Sequence, residues 1–205
     1  MRTLHRAALL LADPADPTAP PVPDGAVLVD GGTVLALGPY GSLAALAREG
    51  ARERLWGGLL TPGLLNPYAG WLLGTAYHPD PREGLGSEPL ELPEVAPERR
   101  GPSARLGLQR LLGHGVTAVA GPFALPAVRT AVARSGLHAV PGDGARGGLD
   151  PLTDRPLARA VHRPLVVGGP ADFAVFDVPS VAELERGGAA CLATVLGGRL
   201  LYRRR

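Results

Sequence analysis

Apolar runs of strand length recur along the chain and are separated by clusters of glycine, proline and aspartate. Residues 4–12 form such a run and predict a β-strand. Residues 26–30 and 33–37 are two more apolar runs on either side of Gly31-Gly32, a turn sequence typical of a β-hairpin. The pattern therefore predicts a strand followed by a hairpin.

A short helix and a further strand are predicted after the hairpin. Residues 42–48 (S-L-A-A-L-A-R) favour a helix, with Ser42 as its N-cap and Gly50 at its end. Residues 52–56 then predict another short strand.

The centre of the chain alternates predicted helices and strands. Residues 103–112 and 126–135 have helical periodicity, and Pro126 suits the first turn of its helix. Residues 116–120 and 137–141 predict the short buried strands that follow these helices. Such alternation is typical of βα units in a parallel sheet.

Two other segments lack a periodic pattern. Residues 71–102 are rich in turn residues and predict a long irregular surface loop. Residues 142–148 are rich in glycine but lack the spacing of a phosphate-binding loop. Beyond them, residues 180–186 predict a capped helix, and residues 190–196 and 199–203 predict a closing hairpin.

The most informative stretch is residues 57–70, G-G-L-L-T-P-G-L-L-N-P-Y-A-G. A leucine pair lies on each side of Thr61-Pro62-Gly63, which indicates a buried strand, a tight turn and a second apolar step. The stretch resembles the start of the barrel in metal-dependent amidohydrolases (imidazolonepropionase and related deaminases), whose motif is similar to T-P-G-L-(I/V)-(N/D)-x-H-x-H. In that family the two histidines bind the catalytic metal. Tyr68 and Gly70 stand at their positions here, and neither is a good substitute for imidazole.

Two further motifs support the resemblance. G-V-T-A-V at residues 115–119 is similar to the family's passage from the first barrel helix into the second strand. G-G-P-A-D-F-A-V-F-D at residues 168–177 is similar to the family's return to its β-sandwich. The resemblance implies that Asp172, within this second motif, forms a turn and has no part in chemistry.

The barrel implied by this resemblance is incomplete. A TIM barrel has eight strands and runs about 250 residues, whereas residues 142–163 leave room for about one more βα unit. We therefore predict an α/β fold with a small composite β-sandwich, made of residues 1–60 and 164–205. Residues 61–163 would form a truncated TIM-barrel-like βα remnant, with its long loop at residues 71–102.

Composition narrows the class of protein. The chain is 45% hydrophobic and 4% aromatic, with a net charge of +2 and scattered arginines, which does not favour nucleic-acid binding. It has no lysine, so it lacks the carboxylated lysine that bridges the metals of many amidohydrolases. The single cysteine, Cys191, lies in an apolar run that predicts a buried residue. Because no leader or membrane-span pattern is present, we expect a soluble, cytoplasmic protein without a membrane partner.

The residues near the altered motif are the candidates for chemistry. Tyr68, His78 and Asp80 are the candidate catalytic residues, with Tyr77 beside them, and we predict no metal and no cofactor. Tyr68 either fills the vacated metal site or hydrogen-bonds a ligand. His138 lies in an apolar strand and is expected in the core or at its rim.

Three functions remain open from the sequence. The first is an amidohydrolase-like protein that has lost metal-dependent hydrolase activity and serves as an accessory or scaffold subunit. The second is a metal-independent enzyme with a site rebuilt near Tyr68 and His78, and the third is a binder of a small molecule such as a heterocycle. A barrel that opens after three strands leaves an exposed edge, so we expect a homodimer or a complex with another protein chain.

Overall fold

The computed structural model describes residues 2–47, 50–92 and 94–204, which form a mixed α/β fold. The strands are β1 (Arg2–Leu10), β2 (Val22–Asp30), β3 (Thr33–Pro39), β4 (Arg52–Pro62), β5 (Leu64–Asn66), β6 (Val116–Ala120), β7 (His138–Val140), β8 (Phe173–Phe176), β9 (Cys191–Leu196) and β10 (Arg199–Arg203). The α-helices are α1 (Tyr40–Ala47), α2 (Ala69–Gly74), α3 (Pro97–Leu112), α4 (Pro126–Ser135), α5 (Leu157–Ala160) and α6 (Val181–Glu185), and a 3-10 helix spans Pro81–Glu83. Within these ranges, no helix is both long and apolar enough to cross a membrane.

Strands from both ends of the chain form a seven-stranded sheet in the order β10-β9-β8-β4-β1-β2-β3. β1 pairs antiparallel with β2 and parallel with β4, and β4 pairs antiparallel with β8. The N- and C-terminal segments therefore contribute strands to one sheet. Met1 and Arg205, the outer limits of the predicted composite β-sandwich, lie outside the described residues.

The middle of the seven-stranded sheet is apolar on both faces, as the fully buried β8 shows. Successive residues of a strand point to opposite faces. Leu60 and Phe173 join a core that the strands of this sheet build among themselves, whereas Leu59 and Phe176 join the core shared with the helices. This double burial explains why β8 is a continuous apolar run in the sequence and why the leucines Leu59 and Leu60 of β4 are adjacent.

The second sheet has three parallel strands in the order β5-β6-β7. α2 and α3 lie between β5 and β6 in the chain, and α4 lies between β6 and β7. All five residues of β6 are buried, as expected for the central strand of a covered parallel sheet. No further strand of the described residues closes these three into a barrel, and the predicted α/β fold class is confirmed.

Two predictions near the end of the first hairpin were wrong in detail. α1 begins at Tyr40, so Ser42 lies inside the helix and is not its N-cap. Arg48, the predicted last residue of that helix, lies outside the described residues. Residues 52–56 are not a separate strand, because β4 continues without interruption through Pro62.

The irregular loop predicted over residues 71–102 is partly helical. α2 extends to Gly74, and α3 begins at Pro97, well before the predicted helix start at Ser103. Pro97 occupies the first turn, where its missing N–H is harmless. Pro102 lies inside α3, where proline removes a backbone hydrogen bond, so the sequence pattern indicated a break that the packed helix does not have.

Candidate functional site

Asn66 ends β5 and anchors the chain that covers the carboxyl ends of the parallel strands. It is fully buried. Its Nδ2 donates to the carbonyl oxygens of Gly148 and Leu149, both at 3.0 Å. Its Oδ1 accepts the backbone N–H of Tyr68 at 2.9 Å. Every polar group of this amide is therefore used to hold two backbone segments together.

Tyr68, at the position of the first family histidine, packs its ring on the backbone of Gly147. A Cβ on Gly147 would lie 2.3 Å from the Cγ and Cδ2 atoms of that ring, so only glycine fits. The phenol donates to the carboxylate of Asp154. This hydrogen bond, followed by burial, raises the pKa of Tyr68 above its ordinary value. A phenol that keeps its proton and is engaged by Asp154 is a poor metal ligand.

Gly70, at the position of the second histidine, lies in α2 against the chain that follows β6. A Cβ at this position would lie 3.0 Å from the carbonyl carbon of Gly121 and 3.0 Å from the oxygen of Pro122. Both neighbours are backbone atoms, which cannot rotate away. A side chain at position 70 would therefore be crowded against backbone from its first atom.

The glycine-rich segment of residues 142–149 fills the space beyond the strand ends. A Cβ on Gly142 would lie 2.4 Å from the oxygen of Gly121 and 2.8 Å from the Cβ of Ala120. Gly144 has a positive φ of 73° and lies against Pro122. The glycines allow this close backbone approach. In the sequence they indicated only a loop, and the contact with β6 could not be read from their spacing.

The residues at this end of the sheet do not fit the metal of the amidohydrolases. Tyr68 is held by Asp154, and position 70 offers neither a ligand nor room for one. Throughout the part of the chain that the structure describes, no group of three or more His, Cys, Asp or Glu side chains is placed to hold a metal ion.

His78 lies buried between α2 and α3. Its Nε2 is 3.0 Å from the carbonyl oxygen of Leu72, and Nη1 of Arg110 is 3.3 Å from its Nδ1. Its backbone N–H donates to Oγ of Ser103 at 2.9 Å. Burial is the main cause that lowers the pKa of His78 to about 4. A neutral ring with Nε2–H donating to Leu72 and Nδ1 accepting from Arg110 satisfies both nitrogens, which is the geometry of a structural link.

The neighbours of His78 are engaged in holding the loop. Asp80 caps the 3-10 helix by accepting the N–H of Arg82 at 2.9 Å. Tyr77 is buried, and its phenol lies 2.8 Å from both carboxylate oxygens of Glu83. Among the described contacts, none joins Tyr68 to Tyr77, His78 or Asp80, so these candidates do not form one constellation.

Cys191 begins β9 and is buried, as the sequence predicted. Burial raises the pKa of its thiol to about 11. The thiolate is the nucleophilic form, so this cysteine is unreactive near neutral pH.

A histidine and an aspartate meet at the other end of the sheet, at the amino ends of the strands. Nε2 of His138 lies 2.7 Å from Oδ2 of Asp172, whose Oδ1 accepts the N–H of Gly197 at 2.7 Å. The Asp172 side chain is 3% exposed and that of His138 is 38% exposed. The ring of His162 lies beside His138, with 5.4 Å between ring centroids. His162 is next to β5, because its N–H donates to the oxygen of Gly63.

The sequence pattern did not indicate that these residues meet. His138 was expected in the core or at its rim, and the structure places it half-exposed at the start of β7. Asp172 was expected to form a turn only, whereas its carboxylate links His138 to the loop between β9 and β10. His138 and Asp172 are far apart in the sequence. Only the arrangement of the strands brings the amino end of β7 close to Asp172, which directly precedes β8.

Solved structures provide the only matches among three kinds of comparison, since no family model and no curated protein matches the chain. Guanine deaminase from Bradyrhizobium japonicum is 17% identical with a TM-score of 0.49, over 76% of this chain and 38% of that chain. A. niger ochratoxinase is 17% identical with a TM-score of 0.46, over 69% of this chain and 30% of that chain. Helicobacter pylori aminofutalosine deaminase is 14% identical with a TM-score of 0.45, over 68% of this chain and 32% of that chain.

These structures belong to the amidohydrolase superfamily of deaminases and hydrolases, the family that the sequence motifs resemble. The chain spans about a third of their length. At these identities and TM-scores the likeness concerns the fold alone.

Proposed function

We propose that this chain is a non-hydrolytic, amidohydrolase-like protein of the cytoplasm that serves as an accessory or scaffold subunit. The observation that carries the proposal is the filled carboxyl end of the parallel sheet. A side chain at position 70 would meet backbone atoms at 3.0 Å from its Cβ, and Tyr68 is engaged by Asp154 and Gly147. Both positions that would hold the first metal ligands are thus used for packing.

The open edge of the parallel sheet supports association with another chain. β7 is the last strand of this sheet, and its outer edge pairs with no strand of the described residues. The C=O of Val140 accepts from Gly121 on the β6 side. Neighbouring residues of a strand alternate their hydrogen-bonding direction, so the N–H and C=O of Ala139 face outward. An edge of this kind is suited to pairing with a second chain, either a copy of this one or a different protein.

Metal content and hydrolysis test the first half of the proposal. The protein and a working guanine deaminase are purified from the same medium, supplemented with zinc and iron. We expect well below one metal ion per chain by mass spectrometry and no hydrolysis of guanine or adenosine, while the deaminase carries metal and turns over. Stoichiometric metal together with turnover would show that a different metal site exists.

Mass in solution tests the second half. Light scattering at micromolar concentration is expected to give a dimer or a larger complex for the wild type. Ala139→Pro removes the outward N–H of the β7 edge and is expected to yield monomers, whereas Ala139→Val keeps that N–H and the association. A wild type that is monomeric throughout this range would rule out self-association, and identical masses for both variants would move the interface away from β7.

A further inference from the structure

A cleft of about 500 Å³ opens at the amino ends of the parallel strands, away from Tyr68. Arg134 at the end of α4, His138 at the start of β7 and Arg199 at the start of β10 line it, together with Asp172. Its size is that of a site for a small molecule. These residues are distinct from Asn66, Tyr68 and Gly70 at the carboxyl ends of the strands.

The cleft has an excess of positive charge. Arg134 and Arg199 are exposed, and neither forms an ion pair with a carboxylate of the described residues. Asp172 is the one acidic side chain among the described lining residues. Its carboxylate is almost fully buried, and its two oxygens are taken by Gly197 and His138. Guanidinium groups bind carboxylates and phosphates with matching planar geometry.

Asp172 also orients the His138 ring. The carboxylate faces Nε2 at 2.7 Å, which assigns the ring proton to that nitrogen and leaves Nδ1 available. Within the described residues, Nδ1 of His138 has no hydrogen-bond partner. The half-exposed ring is thus held by Asp172 through Nε2, with the His162 ring beside it.

An apolar groove of about 320 Å³ adjoins the cleft. Leu108 and Leu112 of α3, Ala131 of α4 and Leu201 of β10 line the groove. Arg134 and Leu201 line both cavities, so the groove and the cleft lie side by side. A molecule that fills both must carry a negative charge at one end and an apolar group at the other.

We propose that the cleft and groove together bind a small amphipathic anion. A carboxylate or phosphate monoester head group lies between Arg134 and Arg199 beside His138, and an apolar tail lies on Leu201. The charge of the cleft selects the head group, and the apolar lining of the groove selects the tail.

Calorimetric titration of the full chain with four probes tests the site. Octanoate and octyl phosphate carry both features, acetate lacks the tail, and octanol lacks the charge. We expect at least one of the two amphipathic anions to bind at one per chain, and acetate and octanol to bind at least about tenfold more weakly. Comparing octanoate with octyl phosphate shows which head group is preferred. Octanol binding as tightly as both anions, or no binding by either anion, would overturn the proposal.

Charge variants locate the binding. Arg134→Gln and Arg199→Gln are each expected to weaken anion binding at least about tenfold, because each removes a charged hydrogen bond to the head group. Arg159→Gln removes the same charge from exposed α5, outside both cavities, and is expected to have no effect. Equal weakening by Arg159→Gln and Arg199→Gln would show general electrostatic attraction and no site.

A spectroscopic readout separates a binding role of His138 from a purely structural one. The carbon-bound ring protons of His138, assigned with His138→Gln, are expected to shift in proton NMR when the anion is added. Unchanged His138 resonances at saturating anion would place the binding elsewhere.

Discussion

The two ends of the three-stranded parallel sheet are covered in different ways. At the carboxyl ends, the backbone of residues 142–149 lies directly on the strands and is held by Asn66 and Tyr68. At the amino ends, arginines and the His138–Asp172 pair line an open cleft. One end is closed by backbone and the other carries exposed charge.

This difference shows where fold analogy stops being useful. In TIM barrels and open α/β sheets, ligands normally bind at the carboxyl ends of the strands. In this chain a side chain at position 70 would be crowded at that end, because backbone atoms of Gly121 and Pro122 lie 3.0 Å from its Cβ. The fold alone would place a site at the filled end, whereas the open cleft of this chain lies at the amino ends of the strands.

Asn66→Asp is expected to cause the largest loss of stability, because it disrupts the contacts that close the carboxyl ends of the strands. The change replaces the Nδ2 donor by a carboxylate oxygen that faces the carbonyls of Gly148 and Leu149. Burying an unpaired charge against two acceptors should cost about 3 kcal/mol or more of the free energy of unfolding. Gln109→Glu makes the same chemical change on the exposed surface of α3 and should cost little. Equal urea midpoints for the two variants would contradict the anchoring role of Asn66.

The second effect is a pH dependence of the free energy of unfolding that comes from His78, which lies buried between α2 and α3. Its pKa falls from 6.5 to about 4 on folding, so between these values the unfolded chain binds a proton that the folded chain does not. Stability from this group is present above pH 6.5 and is lost as the pH falls towards 4, by up to about 3 kcal/mol. His78→Gln keeps a side-chain amide but does not titrate, so its free energy of unfolding should fall less from pH 7 to pH 4.5. Parallel pH profiles for the wild type and His78→Gln would contradict this assignment.

The sequence predicted much of the fold because its apolar runs are short and clearly bounded. Residues 116–120 and 126–135 were predicted with the bounds that the structure shows, since Gly115 and Gly136 mark their limits. The start of α3 was missed because Pro102 indicated a break. Packing of the helix against its neighbours overrides that local signal.

The candidate site was less predictable, because it depends on contacts between distant segments. The replacement of two histidines by Tyr68 and Gly70 was visible in the sequence. The packing of residues 142–149 over both positions was not visible in the sequence, because glycine spacing does not identify the backbone that a loop approaches. The meeting of His138 and Asp172 depends on the order of the strands, which a linear pattern does not contain.

A third, smaller effect is expected from Gly70→Ala. The new Cβ would lie 3.0 Å from backbone atoms of Gly121 and Pro122, so α2 has to shift. Such overpacking should cost about 1–3 kcal/mol of the free energy of unfolding. Gly74→Ala in the same helix meets nothing within 4 Å and should be neutral or slightly stabilising. If Gly70→Ala were as stable as Gly74→Ala, the carboxyl end would have unused room and could accept a larger residue.

The smallest effect is expected from Tyr68→Phe, which separates ring packing on Gly147 from the hydrogen bond to Asp154. Tyr68→Phe keeps the ring against Gly147 and removes only the hydrogen bond to Asp154, which lies at the surface. We expect a loss within about 0.5 kcal/mol. Tyr68→Ala also removes the ring and should cost about 2 kcal/mol or more, because it leaves a cavity under residues 142–149. Urea unfolding of both variants measures the difference. A loss for Tyr68→Phe as large as that for Tyr68→Ala would mean that the phenol, and not ring packing, keeps this end of the sheet closed.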